Sequence, residues 1–127
     1  MSDQKTTVSE LRDLVRRFVE ARDWRQFHSP KNLSMSLAIE AAELMEHFQW
    51  ITTDASRTVG DSAEKLLAVS EELADVMCYA LALANALDID ITEAIRDKMV
   101  KNECKYPAAE YRGRYGLEDE GAKPDQT

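Results

Sequence analysis

Residues 73 to 87 read LADVMCYALALANAL, and no ordinary surface helix can carry that stretch. Its single charge is Asp75, and apolar side chains fall on every side of a helix that advances about 100° per residue. A bilayer needs about 20 such residues, so the segment is too short to span one. What remains is a helix covered on all sides. Only four glycines and three prolines interrupt the 127-residue chain, and its apolar spacing is helical almost throughout. The fold class that satisfies both facts is all-α, an antiparallel bundle of four main helices. A chain this short struggles to wrap one of its own helices completely. A homo-oligomer is therefore expected, with a partner subunit covering the remainder.

The punctuation supplies the elements. A Thr7–Glu10 capping box opens a first helix through Leu11, Leu14, Val15 and Phe18, which frays near Arg22. An aromatic connector follows, RDWRQFHSPKN, broken at Pro30. A second helix is expected from Leu33 to Trp50, then a polar loop, TTDASRTVGD. An Asp61–Glu64 box opens the third helix and an Asp90–Glu93 box the last, which stops at Tyr106-Pro107. Residues 1–107 read as one domain. Residues 108–127 read as a polar tail that is loose or depends on a partner for order.

Acids interrupt the oily faces. Leu33, Leu37, Leu44, Phe48 and Ile51 share one side of the second helix, yet Glu40 and His47 lie in that stripe and Glu43 on its edge. On the third helix, Val69, Val76, Leu83 and Leu87 share a face with Glu72, flanked by Asp75 and Tyr79. Residues three apart on a helix are neighbours, roughly 5–6 Å at Cβ. If the two helices pack together, both acidic pairs face one seam. Carboxylates about 8 Å apart repel by roughly 2 kcal/mol per pair at an effective dielectric near 20. Such a group takes up protons or binds cations.

Oxygen ligands without thiolate favour Mg²⁺, with Mn²⁺ possible, over zinc. A di-iron bundle calls for Glu-x-x-His, and Leu44 stands three residues before His47. Glu46 repeats the spacing from Glu43 and is a surface residue or a further ligand. The plain alternative is that E-x-x-E marks a solvated face, as it does in most helices.

Charge narrows the partners. Sixteen basic against twenty-four acidic side chains leave a net −8, which excludes the cationic stripe that duplex DNA or RNA requires. An acidic protein handles an anionic substrate when metal ions lie between them. Cys78 and Cys104 lack CxxC spacing and are expected to stay reduced. The N-terminal residues show no secretory h-region, so the expected location is cytoplasmic, without a membrane anchor.

These residues resemble the MazG-like all-α nucleoside triphosphate pyrophosphohydrolases. The carriers of the resemblance are Glu40-x-x-Glu43 and Glu72-x-x-Asp75 together with RDWRQFHSPKNL, EAAELMEHFQW, EELADVMCYALALA and KMVKNECKYP in this order. The wider set is similar to the dCTP pyrophosphatase branch. The resemblance implies a tetramer that hydrolyses a deoxynucleoside triphosphate, dCTP-like or a modified pyrimidine, to the monophosphate and pyrophosphate, a house-cleaning of the nucleotide pool. It makes Glu40, Glu43, Glu72 and Asp75 the Mg²⁺ ligands. It also implies that Trp24, His28 and Trp50 line a base pocket and that Tyr79, Lys98 and Asn102 meet phosphates or sugar. Glu43 is the candidate general base, while Lys31, Arg112 and Arg114 are further candidates for phosphate charge. The branch carries a base-contacting histidine where this chain has Val15, which bears on cytosine preference.

Three other readings stay open. Trp24, Phe27 and Trp50 are core aromatics in the plain account, and His47 is a hydrogen-bonded packing residue. A broad-specificity or dUTP-preferring enzyme would use the same acids. A non-catalytic oligomer held together by a cation would use them without turnover.

Overall fold

The computed structural model describes residues 1–114 and residue 116. Every regular element among these residues is helical. The chain divides into two compact units, Met1–Ile89 and Asp90–Thr127.

In the first unit, α1 spans Val8–Ala21, and both arms of its capping box form. The Glu10 amide donates to Thr7 Oγ1 at 3.1 Å and the Thr7 amide to Glu10 Oε2 at 2.6 Å. The Thr7 amide, and the Thr7 hydroxyl that donates to the same Oε2 at 3.0 Å, hold the Glu10 carboxyl below its usual range. A 3₁₀ turn follows at Trp24–Phe27, entered through Asp23 in the left-handed region at φ 52°. Aspartate is among the few non-glycine residues that visit that region readily.

The second helix, α2, covers Pro30–Glu46 instead of Leu33 to Trp50. Proline does not break it but begins it, because the first helical position needs no amide donor. Ser29 caps it, accepting from the Asn32 amide at 3.2 Å. It ends early, at Glu46 with His47 as its C-cap, and Thr52 caps the next element. That element, α3 (Thr53–Ser56), and a 3₁₀ turn at Val59–Asp61 occupy what the sequence read as a plain loop.

The long helix, α4, runs Ala63–Leu87. Its cap is Ser62, not Asp61, because Asp61 is already taken into the 3₁₀ turn. Arg12 pins the start of α1 to the end of α4. Its guanidinium donates to Asn85 Oδ1 at 2.9 Å, the Ile89 carbonyl at 2.6 Å and the Ala84 carbonyl at 3.3 Å. Asn85 Nδ2 returns a bond to the Arg12 carbonyl at 3.1 Å. A cation there also faces the negative end of the helix dipole.

The best-covered side chains are Leu33, 1% exposed, with Val19, Leu81, Ala82 and Ala84. The small residues of α4 let both α1 and α2 approach it, and those are its main neighbours. Cover is one-sided, however: Leu73 and Met77 remain 50% and 51% exposed. Among the described residues no helix is long and apolar enough to cross a membrane.

In the second unit, α5 spans Ile91–Lys105, its Asp90 cap accepting from the Glu93 amide at 2.9 Å. It stops before Tyr106-Pro107, as the sequence implied. The first residues of the expected tail form a short helix, α6 (Ala108–Tyr111), with the Tyr106 and Tyr111 rings edge to face at 5.1 Å. Tyr115 and the stretch from Leu117 onward lie outside the described residues.

Candidate active site

Packing of α2 on α4 brings the acids together. One carboxylate oxygen from each of Glu40, Glu43 and Glu72 lies within 4.8 Å of the other two. Glu40 Oε2 and Glu72 Oε2 are both buried with no hydrogen-bond partner. Buried carboxylate oxygens normally find donors, because leaving them bare costs several kcal/mol. Here the nearest groups are more carboxylates. Burial first, then Glu43, then Asp75 and Glu72, push the Glu40 carboxyl up to about 7. Glu72 is raised in the same way by burial, Glu43 and Asp75, with His47 pulling against them.

A set of converging carboxylates, two of which carry a buried oxygen lacking any donor, fits a hard divalent cation. Asp75 is exposed and stands beside the group, near enough for its charge to act on Glu40 and Glu72 but outside the three converging carboxylates. Glu46 is exposed and also outside it.

Asp75 also lines a cavity of about 510 Å³ next to the acids. Its walls are aromatic and apolar. Phe18 meets Trp24 edge-on at 5.7 Å between ring centroids, Trp24 meets His28 at 6.3 Å, and His28 meets Tyr79 at 6.5 Å. Val15, Val19 and Cys78 fill the gaps between the rings. Burial, then Asp75, pushes the Cys78 thiol up, which disfavours its thiolate. The 3₁₀ turn after Asp23 is what delivers Trp24 and His28 to the same side of α1 as Phe18.

The expected residues thus separate. Trp24, His28 and Tyr79 share the cavity, and Val15 stands in its wall. Trp50 is 88% exposed beyond the end of α2, and Lys31 is exposed in the first turn of that helix; neither lines the cavity. Lys98 is exposed and Asn102 half-buried, one turn apart on α5 in the second unit. Arg112 and Arg114 are exposed after α6. Two cavity residues, Phe18 and Cys78, were not read from the sequence as site residues. Phe18 and Cys78 follow Val15 and Asp75 at the same three-residue spacing that linked the acids, which is a usable signal. His47 lies 3.9 Å from Glu72 across the α2–α4 seam.

Residues 35–115 match the MazG-like family. A human protein named dCTP pyrophosphatase 1 is 41% identical over 102 residues, which is 80% of this chain and 60% of that protein. Its Bos taurus counterpart is 37% identical over 107 residues, covering 84% and 63%. The chain therefore spans about three-fifths of the length of these relatives. The crystal structure of a pyrophosphatase from Archaeoglobus fulgidus superposes with a TM-score of 0.74 at 41% identity, covering 84% of this chain and 98% of that one.

Proposed function

The chain belongs to the MazG-like family, and from that premise we propose that it is a Mg²⁺-dependent nucleoside triphosphate pyrophosphohydrolase. Its substrate is a deoxynucleoside triphosphate with a cytosine-like or modified pyrimidine base, released as the monophosphate and pyrophosphate. One observation carries this reading: a carboxylate group with bare buried oxygens adjoins an aromatic cavity, and Asp75 belongs to the surroundings of both. The names of the similar proteins, dCTP pyrophosphatase and pyrophosphatase, support the reaction class.

Glu40, Glu43 and Glu72, joined by Asp75, are the proposed ligands of Mg²⁺, or of Mn²⁺ in its place. When bound, the cation would offset the repulsion between these acids and a tetra-anionic substrate and stabilise charge on the transferring phosphoryl group. The base inserts among Trp24, His28 and Tyr79, which hold it by stacking. Val15 presents an apolar wall where a base-contacting histidine is expected in the dCTP pyrophosphatase branch. Glu43 bears on both Glu40 and Glu72 and is the proposed general base. It orients a water and accepts its proton as the new oxygen bond to the α-phosphorus forms. The bond from that phosphorus to the bridging oxygen breaks, and pyrophosphate leaves. Lys98, Asn102, Lys31 and Trp50 are proposed further contacts to phosphate, sugar or base.

Self-association belongs to the same proposal. Leu73 and Met77 of α4 and Met35, Ile39 and Met45 of α2 are large apolar side chains left half exposed, which a second copy would cover. Light scattering is expected to return a mass several times that of the chain, with a tetramer as the proposed state; a monomer at micromolar concentration defeats that proposal. The chemistry is tested with a panel of deoxynucleoside and nucleoside triphosphates. Monophosphate and pyrophosphate are expected in Mg²⁺, and none in EDTA. Release of single orthophosphate, or equal turnover in EDTA, refutes the reading.

A further inference from the structure

His47 closes α2 as its C-cap, with its amide bonded to the Leu44 carbonyl at 3.3 Å. From that fixed point its imidazole Nε2 reaches to 3.9 Å from Glu72 Oε1 on α4. The two oxygens of Glu72 thus have different surroundings. Oε1 faces a ring nitrogen, whereas Oε2 is buried and has no partner. The atoms that converge within 4.8 Å belong to Glu40, Glu43 and Glu72, and His47 is not one of that group.

We infer that His47 is a positioning residue for the metal site, engaging the outer oxygen of Glu72 so that the inner one is presented to the cation. This rests on the metal-site reading above and adds to it a residue that reading does not use. The physical case is one of preorganisation. A glutamate side chain without a fixed partner samples several rotamers, and holding it in one costs side-chain entropy when the ion binds. A proton on Nε2 donated to Oε1 selects that rotamer. At 3.9 Å the two atoms stand beyond hydrogen-bond distance, so the side chains have to close that gap when the ion binds. Partners of this kind, outside the ligands themselves, typically change metal affinity by about 10–100-fold. The position at the C-terminus of α2 suits an imidazole, because the last carbonyls there favour a donor.

The test is a Mn²⁺ titration of the full chain without nucleotide, following free Mn²⁺ by electron paramagnetic resonance. Wild type, His47→Leu and His47→Gln are compared, with far-ultraviolet circular dichroism to verify the fold. His47→Leu, which keeps bulk and removes the donor, is expected to bind Mn²⁺ about tenfold more weakly. His47→Gln keeps an N–H and is expected to recover most of the loss. Pulsed measurements on Mn²⁺-loaded wild type are expected to show no directly bonded nitrogen, and they hold whether or not a variant folds. Unchanged affinity in His47→Leu, no recovery in His47→Gln, or a directly bonded nitrogen each overturns the inference while leaving the metal site intact. If wild type itself binds no Mn²⁺, the metal-site reading falls as well, so the two failures are told apart.

Discussion

Glu40→Gln is expected to reduce triphosphate hydrolysis on the order of a thousandfold while making the metal-free protein more stable at alkaline pH. Both effects have one cause. Burial and the neighbouring acids raise the Glu40 carboxyl from 4.5 to about 7. Between those values the folded chain holds a proton that the unfolded chain has released. Stability of the metal-free protein therefore falls as pH rises through that window. Below it both states are protonated and the penalty is absent; above it the folded state bears the full repulsion. Glu72, raised for the same reasons, adds a decline of the same sign.

Glutamine at position 40 removes one of these titrations, so the variant should unfold at a higher temperature than wild type at pH 8 in EDTA. Mg²⁺ reverses the ranking. It should raise the wild-type midpoint more at pH 8 than at pH 5, where protons compete for the same oxygens, and should stabilise the variant far less. Scanning calorimetry with and without Mg²⁺ at the two pH values, beside a pyrophosphate-release assay, measures all of this. A Glu40→Gln protein that is less stable than wild type at pH 8 would show that the carboxylate serves the fold instead of a ligand.

The same acids explain what the sequence could and could not disclose. Glu40, Glu43 and Glu72 were legible because helical periodicity is local. An i,i+3 pair on an apolar stripe declares its direction, and two such helices can hardly pack without facing their acids together. The pattern does not resolve half a turn. Asp75 therefore comes out beside the three converging carboxylates and in the wall of the aromatic cavity. The cavity itself was visible only through resemblance. Trp24 opens and His28 caps a 3₁₀ turn that starts from a left-handed Asp23, and no periodic signal reports such a turn.

Two boundary errors have the same local origin. Pro30 reads equally well as a stop or a start, and only the Ser29 cap decides between them. Ser62 and Asp61 are adjacent caps, and the preceding 3₁₀ turn chooses the serine. The Arg12–Asn85 clamp joins residues far apart in sequence, so nothing in either neighbourhood announces it. What composition did announce was the shortage of cover for residues 73 to 87, and among the described residues Leu73 and Met77 of α4 stay half exposed.

Trp24→Ala is expected to lower kcat/KM for the preferred nucleotide roughly ten- to hundredfold, mostly through KM. Trp24 stands between Phe18 and His28 in the ring series along the cavity. A base entering that cavity gains stacking worth about 1–3 kcal/mol on one aromatic face. The contact is made equally in ground and transition states, which is why binding suffers more than turnover. Trp24 is already 42% exposed, so truncation should leave the helical circular dichroism intact. Trp24→Phe, which keeps a face of smaller area, should recover most of the affinity.

Inorganic tripolyphosphate separates the two explanations for a loss. It carries the phosphate charge and no base, so its inhibition of the Mg²⁺-loaded enzyme should be the same in wild type and Trp24→Ala. If tripolyphosphate inhibition weakens in step with nucleotide affinity, Trp24 acts by shaping the neighbouring acidic site, and the assignment of the cavity to the base is wrong. If only the nucleotide weakens, the aromatic cavity recognises the base and the carboxylates deal with the phosphates, a division of labour that the placement of Asp75 between them already suggests.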